Sequence, residues 1–133
     1  MTLFYFCCKI KLTNWLIGKE IILIISYANQ NVEKYFTDYN KLKKKLPFEW
    51  VKKIKKLVTY MEAAETFGDF LSLQLGKPER LVGYEMRYSL HIDRNVRLII
   101  EPSANGKSVL ICCEIEIEGV CDYHGDKENW YIS

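Results

Sequence analysis

The spacing of the apolar residues changes near Pro78, and this change constrains the fold more than any other feature of the sequence. Before Pro78, apolar residues recur every three or four positions, which places them on one face of a helix. After Pro78, they alternate with polar residues, which is typical of strands with one buried side. We therefore predict an α+β domain in which an amino-terminal strand and a helical hairpin pack on one face of a twisted antiparallel sheet.

The segment before Pro78 predicts one strand followed by helices. Residues 21–27 are apolar and β-branched, as expected of a buried strand. Helical spacing covers residues 30–45 and resumes after Pro47, a residue that suits the first turn of a helix. These two helices form the predicted hairpin, and a short third helix is predicted at residues 66–75.

The segment after Pro78 predicts an antiparallel meander. Alternating apolar residues indicate three strands, at residues 87–93, 96–102 and 107–119. Asn105-Gly106 is a strong turn signal between the second and the third. Residues 130–132 are apolar and predict either an added edge strand or a segment that covers the end of the preceding strand.

We expect the first 22 residues to be an extension of a single domain. A chain of 133 residues accommodates one domain. Gly18-Lys19-Glu20 can be encoded by a ribosome-binding sequence, and a start codon at Leu23 would follow at a workable spacing. Residues 1–22 are therefore interpreted as a translated upstream region, and residues 23–133 as the working domain.

The cysteines and the apolar runs argue against several classes of protein. Five cysteines are an odd number and form two adjacent pairs, so a disulfide framework is not expected. Because no CxxC spacing occurs, a zinc site is not expected, and the free thiols fit a reducing cytoplasm. We also predict no cofactor. No apolar run approaches the roughly 20 residues that cross a bilayer, so no membrane partner is expected.

The basic residues are concentrated, although the formal net charge is only +2. Lys52, Lys53, Lys55 and Lys56 lie on the face of the second helix opposite its apolar stripe. Such a block is typical either of a solvated helix face or of a nucleic-acid contact surface.

The register of the first hairpin predicts that His91 lies beside Arg97. A three-residue loop at 93–95 is required to bring four apolar side chains to one face: Leu90, Ile92, Val96 and Leu98. Asn95 then occupies a position that often needs positive φ. His91 and Arg97 become cross-strand neighbours on the side away from the helices. Such a pair is either a candidate anion site or a purely structural surface pair.

The last strand ends in the tripeptide Asp122-Tyr123-His124. His124 has an ordinary pKa near the working pH, so it can act as an acid or a base. Tyr123 can orient a base or assist proton transfer, and Asp122 can fix the histidine tautomer or pair with an arginine. The alternative interpretation is a polar strand end whose histidine satisfies a backbone group.

Several motifs in this order resemble the RelE/ParE superfamily. They are Leu81-Val82-Gly83, Tyr88-Ser89-Leu90-His91-Ile92, Arg97-Leu98-Ile99-Ile100-Glu101-Pro102 and Glu116-Ile117-Glu118 leading to Asp122-Tyr123-His124. The branch to which they are most similar is the HigB-type toxins, also called plasmid maintenance system killer proteins. The match extends from about Ile24 to the carboxyl terminus.

The resemblance implies a type II toxin that acts as a metal-free, ribosome-dependent mRNA endoribonuclease and inhibits translation. Its partners would be mRNA, the ribosome and a cognate antitoxin with a helix-turn-helix domain. In cleavage of RNA by its own 2′-hydroxyl, the tripeptide at 122–124 would move protons and Arg97 would hold the phosphate. Contacts to RNA are expected from seven basic residues, namely Lys77, Arg80, Arg87, Arg94, Lys52, Lys53 and Lys56.

Two positions depart from the family pattern. Many relatives have a basic residue where this chain has Val82, and an arginine where it has His91. His91 would then substitute as a pH-dependent cation. The alternative function is a catalytically weak binding module of the same fold, which would contact an antitoxin, the ribosome or a nucleic acid as a killer-suppression-type protein.

Overall fold

A computed structural model of the chain describes residues 23–81, 86–103, 108–124 and 127–133. The predicted extension at residues 1–22 lies outside the described residues, and so do Val82 and the Asn105-Gly106 turn. The structure therefore does not test those three interpretations. Within the described residues, no helix combines the length and the apolar character that crossing a membrane requires.

The described elements follow the predicted order of one strand, then helices, then the rest of the sheet. The strand β1 is Ile24–Tyr27. The helices that follow are α1 (Gln30–Phe36), α2 (Tyr39–Lys45), α3 (Phe48–Ala63) and α4 (Phe67–Ser72). The later strands are β2 (Glu79–Arg80), β3 (Tyr88–His91), β4 (Val96–Pro102), β5 (Glu114–His124) and β6 (Lys127–Ile132).

The strand β5 occupies the centre of the sheet, whose order is β1-β5-β4-β3-β2 with β6 also paired to β5. One edge of β5 pairs with β4. The other edge pairs first with β1, over residues 114–117, and then with β6, over residues 120–124. The pairing with β1 is parallel, whereas the other described pairings are antiparallel. The predicted α+β class is confirmed, and β6 confirms the predicted edge strand at residues 130–132.

An apolar core between the helices and one face of the sheet holds the two layers together. The helix α3 contributes Ile54 and Met61, and the sheet contributes Leu98, Ile100 and Ile117, all of them fully buried. Burying one such side chain stabilises the fold by roughly 1.5–3 kcal/mol. Because these residues alternate along β4 and β5, the helices cover a single face of the sheet.

The single helix predicted at residues 30–45 is wrong, because the chain forms two helices there. The helix α1 ends at Phe36. Asp38 then adopts an extended backbone and caps α2, since its carboxylate accepts a hydrogen bond from the Asn40 N–H at 3.0 Å. Phe36 and Leu42 are both buried, so the apolar stripe continues across the break and hides it from a spacing argument.

The strand predicted at residues 107–119 is also wrong in its first part. Residues 109–111 form a 3-10 helix, in which the Ser108 hydroxyl accepts a hydrogen bond from the Leu110 N–H at 3.3 Å. Leu110 and Ile111 are 53% and 46% exposed, so their alternation does not mark a buried strand face. The strand starts at Glu114 and instead continues to His124.

A β-bulge changes the register in the middle of β5. Ile100 pairs with Ile117, but Ile99 pairs with Gly119, so Glu118 is an extra residue in this strand. Gly119 has a φ of 148°, and a Cβ at this position would collide with the Ile132 carbonyl. The bulge and the end of β6 can therefore pack together only when residue 119 has no side chain.

Replacing this glycine is expected to loosen the carboxyl-terminal part of the sheet. We expect Gly119→Ala to lower the free energy of unfolding by about 2 kcal/mol or more, because the new methyl group displaces Ile132 and strains the backbone. Urea unfolding followed by circular dichroism measures this loss. An unchanged urea midpoint would show that β6 does not pack on the bulge as described.

Candidate functional site

The hairpin of β3 and β4 has the predicted register. His91 pairs with Arg97, and Leu90 pairs with Leu98. The Ile92 N–H donates to the Val96 carbonyl at 2.9 Å, which leaves the three-residue loop 93–95. Among the described non-glycine residues, however, positive φ occurs at Gln74 and Lys77, so the expectation for Asn95 is wrong.

The Arg97 guanidinium folds back over the hairpin loop. Its Nη1 lies 3.0 Å from the Asp93 carbonyl oxygen, 3.2 Å from that of Arg94 and 3.1 Å from that of Val96. A guanidinium has five N–H donors, so Nη1 contacts still leave donors on its other nitrogens for a phosphate. Arg97 therefore both orders the loop and brings positive charge to this end of the sheet.

One side-chain hydrogen bond ties this end of the sheet to a helix, and a second joins the last two strands. The Trp50 Nε1–H of α3 donates to Asp93 Oδ2 at 2.8 Å, and the Tyr131 hydroxyl donates to Asp122 Oδ2 at 2.9 Å. The rings of Trp50 and Tyr131 meet edge to face with centroids 5.3 Å apart. The hairpin loop, α3 and the two carboxyl-terminal strands are thus connected at one place.

The strand alignment places Asp122 and Arg97 on opposite faces of the sheet. Asp122 pairs with Val96, a core residue, whereas Arg97 pairs with Cys121. Residues paired across antiparallel strands share a face, so Asp122 lies on the helix side and Arg97 on the other. The predicted pairing of Asp122 with an arginine is therefore not made with Arg97.

The tripeptide lies at the same end of the sheet as the hairpin loop. Tyr123 and His124 are in β5, opposite residues 128 and 127 of β6. Their side chains are outside the described part of the structure, so their predicted roles in proton transfer are not tested.

A cavity of about 510 Å³ lies beside the hairpin, and the charged residues that line it are mainly basic. Its cationic lining residues are Lys53, Lys56, Lys77 and Arg94. His91 and Asp93 also line it. The structure therefore brings four of the seven predicted RNA-binding residues together with one predicted catalytic residue. The volume lies within the range of ordinary ligand sites.

A left-handed turn at residues 74–77 forms one wall of this cavity. Gln74, Gly76 and Lys77 have φ values of 55°, 69° and 45°. The Gly76 carbonyl accepts a hydrogen bond from the His91 N–H at 2.6 Å, which fixes the turn against β3. A lysine with positive φ is uncommon, and backbone strain of this kind is often found at binding sites. The turn holds Lys77 at the cavity wall.

The other predicted RNA-binding residues lie elsewhere. The Lys52 Nζ lies 5.7 Å from the Phe48 ring centroid, on the outer surface of α3. Arg80 is exposed in the short strand β2, opposite Tyr88. Arg87 precedes β3 and acts electrostatically on Glu118, at the far end of the hairpin from the loop. These three residues are not part of the cavity.

Burial lowers the pKa of His91 below its ordinary value, and the nearby charges of Arg97 and Lys77 lower it further. Glu79 acts in the opposite direction. His91 is therefore mainly neutral at pH 7, which favours a proton acceptor over the predicted pH-dependent cation. Sequence reasoning missed Glu79, because nothing in the sequence indicates that β2 brings its carboxylate near His91.

Among the described side chains, one cluster of carboxylates has the spacing to hold a metal ion. It comprises Glu101, Glu116 and Glu118, and none of these lines the cavity. The charged residues of the cavity are four cations and one carboxylate, and this excess of positive charge repels a metal ion and attracts anions. The chemistry of the cavity is therefore that of an anion-binding site.

Comparisons with known proteins found similarity among solved structures. The YoeB dimer from Staphylococcus aureus is 25% identical, with a TM-score of 0.48, over 77% of this chain and 97% of that chain. Two YoeB–YefM complexes from the same organism, one described as a heterotetrameric toxin–antitoxin complex, have TM-scores of 0.47 at the same coverage. Their identities are 25% and 26%.

The other comparisons found no relative. No family model matches the chain, and no curated protein gives a significant match. The structural neighbours are YoeB toxins, so the HigB branch is not confirmed.

The environment of His91 predicts a measurable titration. We expect the His91 pKa to lie below 6.5 in the intact protein and to rise in Arg97→Gln and Lys77→Gln, since each change removes a neighbouring positive charge. Glu79→Gln should lower it. Because the chain has only two histidines, NMR titration of the imidazole signals can follow each one. A His91 pKa that is unaffected by all three changes would contradict this arrangement.

Proposed function

We propose that this chain is the toxin of a type II toxin–antitoxin pair and that it cleaves mRNA on the ribosome. In this proposal the cut is made by the RNA's own 2′-hydroxyl, and the protein supplies proton transfer and charge stabilisation. The observation that carries the proposal is the basic cavity beside His91. The resemblance of the sequence to the RelE/ParE superfamily supports the same function.

The cavity is suited to the RNA backbone because its cations come from separate walls. Lys53 and Lys56 lie three residues apart on α3 and therefore project from the same side of this helix. Lys77 lies on the turn, and Arg94 lies on the hairpin loop. A phosphate between these walls would be contacted from both sides, which a single solvated helix face cannot do.

The acidic residue in the cavity is already engaged. Asp93 Oδ1 accepts a hydrogen bond from the Arg94 N–H at 2.8 Å, and Oδ2 accepts the bond from Trp50. The same two hydrogen bonds lower the pKa of Asp93, so the carboxylate is ionised and held by its donors. Asp93 therefore orders the loop that carries Arg94, and its charge is directed towards these donors.

The groups at this end of the sheet can divide the steps of RNA cleavage. Neutral His91, supported by the nearby Glu79 carboxylate, can accept the 2′-hydroxyl proton. Arg97 can stabilise the charge that develops on the phosphorane. His124, assisted by Tyr123, would protonate the leaving 5′ oxygen. Each proton transfer typically contributes 10²–10⁴-fold to the rate.

A second function remains open because the Arg97 guanidinium is already bound to the loop carbonyls. If this contact is purely structural, the cavity would bind RNA or an antitoxin without cleaving anything. The chain would then be a binding module of the same fold. In both functions the proposed protein partner is a cognate antitoxin, and for cleavage the further partners are mRNA and the ribosome.

Inducible expression of the full chain separates the two functions. We expect growth arrest with mRNA cuts mapped by primer extension, and loss of both in His124→Ala and Arg97→Ala. The double variant Lys56→Gln with Lys77→Gln should reduce cleavage by about 10- to 100-fold, because two phosphate contacts are lost. The matched control is Lys43→Gln with Lys44→Gln, which removes equal charge from α2.

The outcomes distinguish the alternatives directly. Cleavage in the parent and the α2 control, but not in His124→Ala, supports the nuclease. Growth arrest that persists in His124→Ala and Arg97→Ala without mRNA cuts supports the binding module. Equal cleavage in the two double variants would contradict a role for the cavity.

A further inference from the structure

Three glutamates converge on the face of the sheet that the helices do not cover. Glu101 on β4 pairs directly with Glu116 on β5, and Glu118 lies two residues further along β5. One carboxylate oxygen from each of these residues lies within 4.8 Å of the others. Like charges at this separation repel one another, so the arrangement requires a compensating charge or proton.

The burial of the Glu118 carboxyl also indicates a ligand site at this place. The residue is only 8% exposed, and its Oε1 is buried with no hydrogen-bond partner in the described structure. An unsatisfied carboxylate oxygen in the interior costs free energy unless something else binds it. Burial raises the pKa of Glu118 to about 8, and so do a hydrogen bond and charge repulsion with Glu116 and a hydrogen bond with Glu101, whereas Oε1 itself stays without a partner. Arg87 opposes this rise but does not cancel it.

Alternation along β5 places Glu118 on the face of Glu116, and the bulge changes what it faces on β4. Without an extra residue, β5 would keep one pairing register with β4 beyond Ile117. The shift between Ile99 and Ile100 instead leaves Glu118 unopposed and brings Gly119 opposite Ile99. Glu101 and Glu116 are held by the direct pairing of their strands, and Glu118 lies between two paired residues of β5, Ile117 and Gly119.

We propose that Glu101, Glu116 and Glu118 bind one divalent cation of the hard, oxygen-preferring class, such as Mn²⁺ or Mg²⁺. Three carboxylates without nitrogen or sulfur ligands suit these ions better than zinc or copper. The ligand oxygens around such an ion lie on the order of 3–4 Å apart, which small side-chain rotations would reach from the observed spacing. The ion would supply the partner that Glu118 Oε1 lacks.

This site is separate from the proposed RNA-cleavage site. Arg97 and Glu101 are four residues apart on β4, which corresponds to about 13 Å along the strand. The cation would therefore join β4 and β5 rather than contact the RNA bound in the cavity. Its presence does not depend on whether the chain cleaves RNA.

The test uses the purified full chain, freed of metal with a chelator and titrated with Mn²⁺. Electron paramagnetic resonance counts the bound ion, and thermal unfolding reports its effect on stability. We expect one Mn²⁺ per chain and a higher melting temperature with the ion. Glu118→Gln should weaken binding at least about tenfold, because one of three charged ligands is lost.

Glu101→Gln gives a second variant at a less buried position, in case Glu118→Gln fails to fold. Glu114→Gln is the matched control, since it removes the same charge from the same strand outside the cluster. Equal Mn²⁺ binding in the parent and both cluster variants would overturn the proposal. Absence of Mn²⁺ binding by the parent at pH 8.5 would also overturn it.

Discussion

The pairing of β5 on both of its edges is the constraint on which the rest of this structure depends. Along one edge it holds β4, and through β4 the hairpin that carries His91. Along the other edge it holds β1 and then β6, so it joins the two ends of the described chain. The bulge at Gly119 lets one strand serve both halves of the sheet in different registers. The first half of β5 carries Glu116 and Glu118 of the glutamate cluster, and its end carries the tripeptide.

The cavity depends on contacts that connect the helices to this sheet. Trp50 binds Asp93 in the hairpin loop and packs against Tyr131, which in turn binds Asp122. The Gly76 carbonyl fixes the turn at 74–77 to β3. Cations from the helix, the turn and the loop are thereby held around one space before any ligand arrives. Such preorganisation would reduce the entropy lost on binding of the proposed RNA ligand.

The sequence predicted those features that follow from alternation. The His91–Arg97 pairing is correct because only one register buries the apolar residues of this hairpin. Alternation gave a wrong strand at Leu110 and Ile111, because these residues form a 3-10 helix. Helical spacing gave one helix in place of two, because the cap at Asp38 interrupts the helix while the apolar stripe continues. The burial of Glu118 could not be predicted, because alternation gives no sign of the bulge that follows Ile117. The cavity also escaped prediction, since the turn at 74–77 has no clear sequence signal before Gly76.

The central claim is that the RNA supplies its own nucleophile while this chain supplies proton transfer and positive charge. The most direct test uses ribosomes, the purified full chain and an mRNA with a single 2′-deoxynucleotide immediately 5′ to a mapped cut. The account predicts that the unmodified mRNA is cut and carries a 2′,3′-cyclic phosphate, whereas the substituted mRNA remains intact at that position. Cleavage of both mRNAs at the same site and the same rate would contradict it.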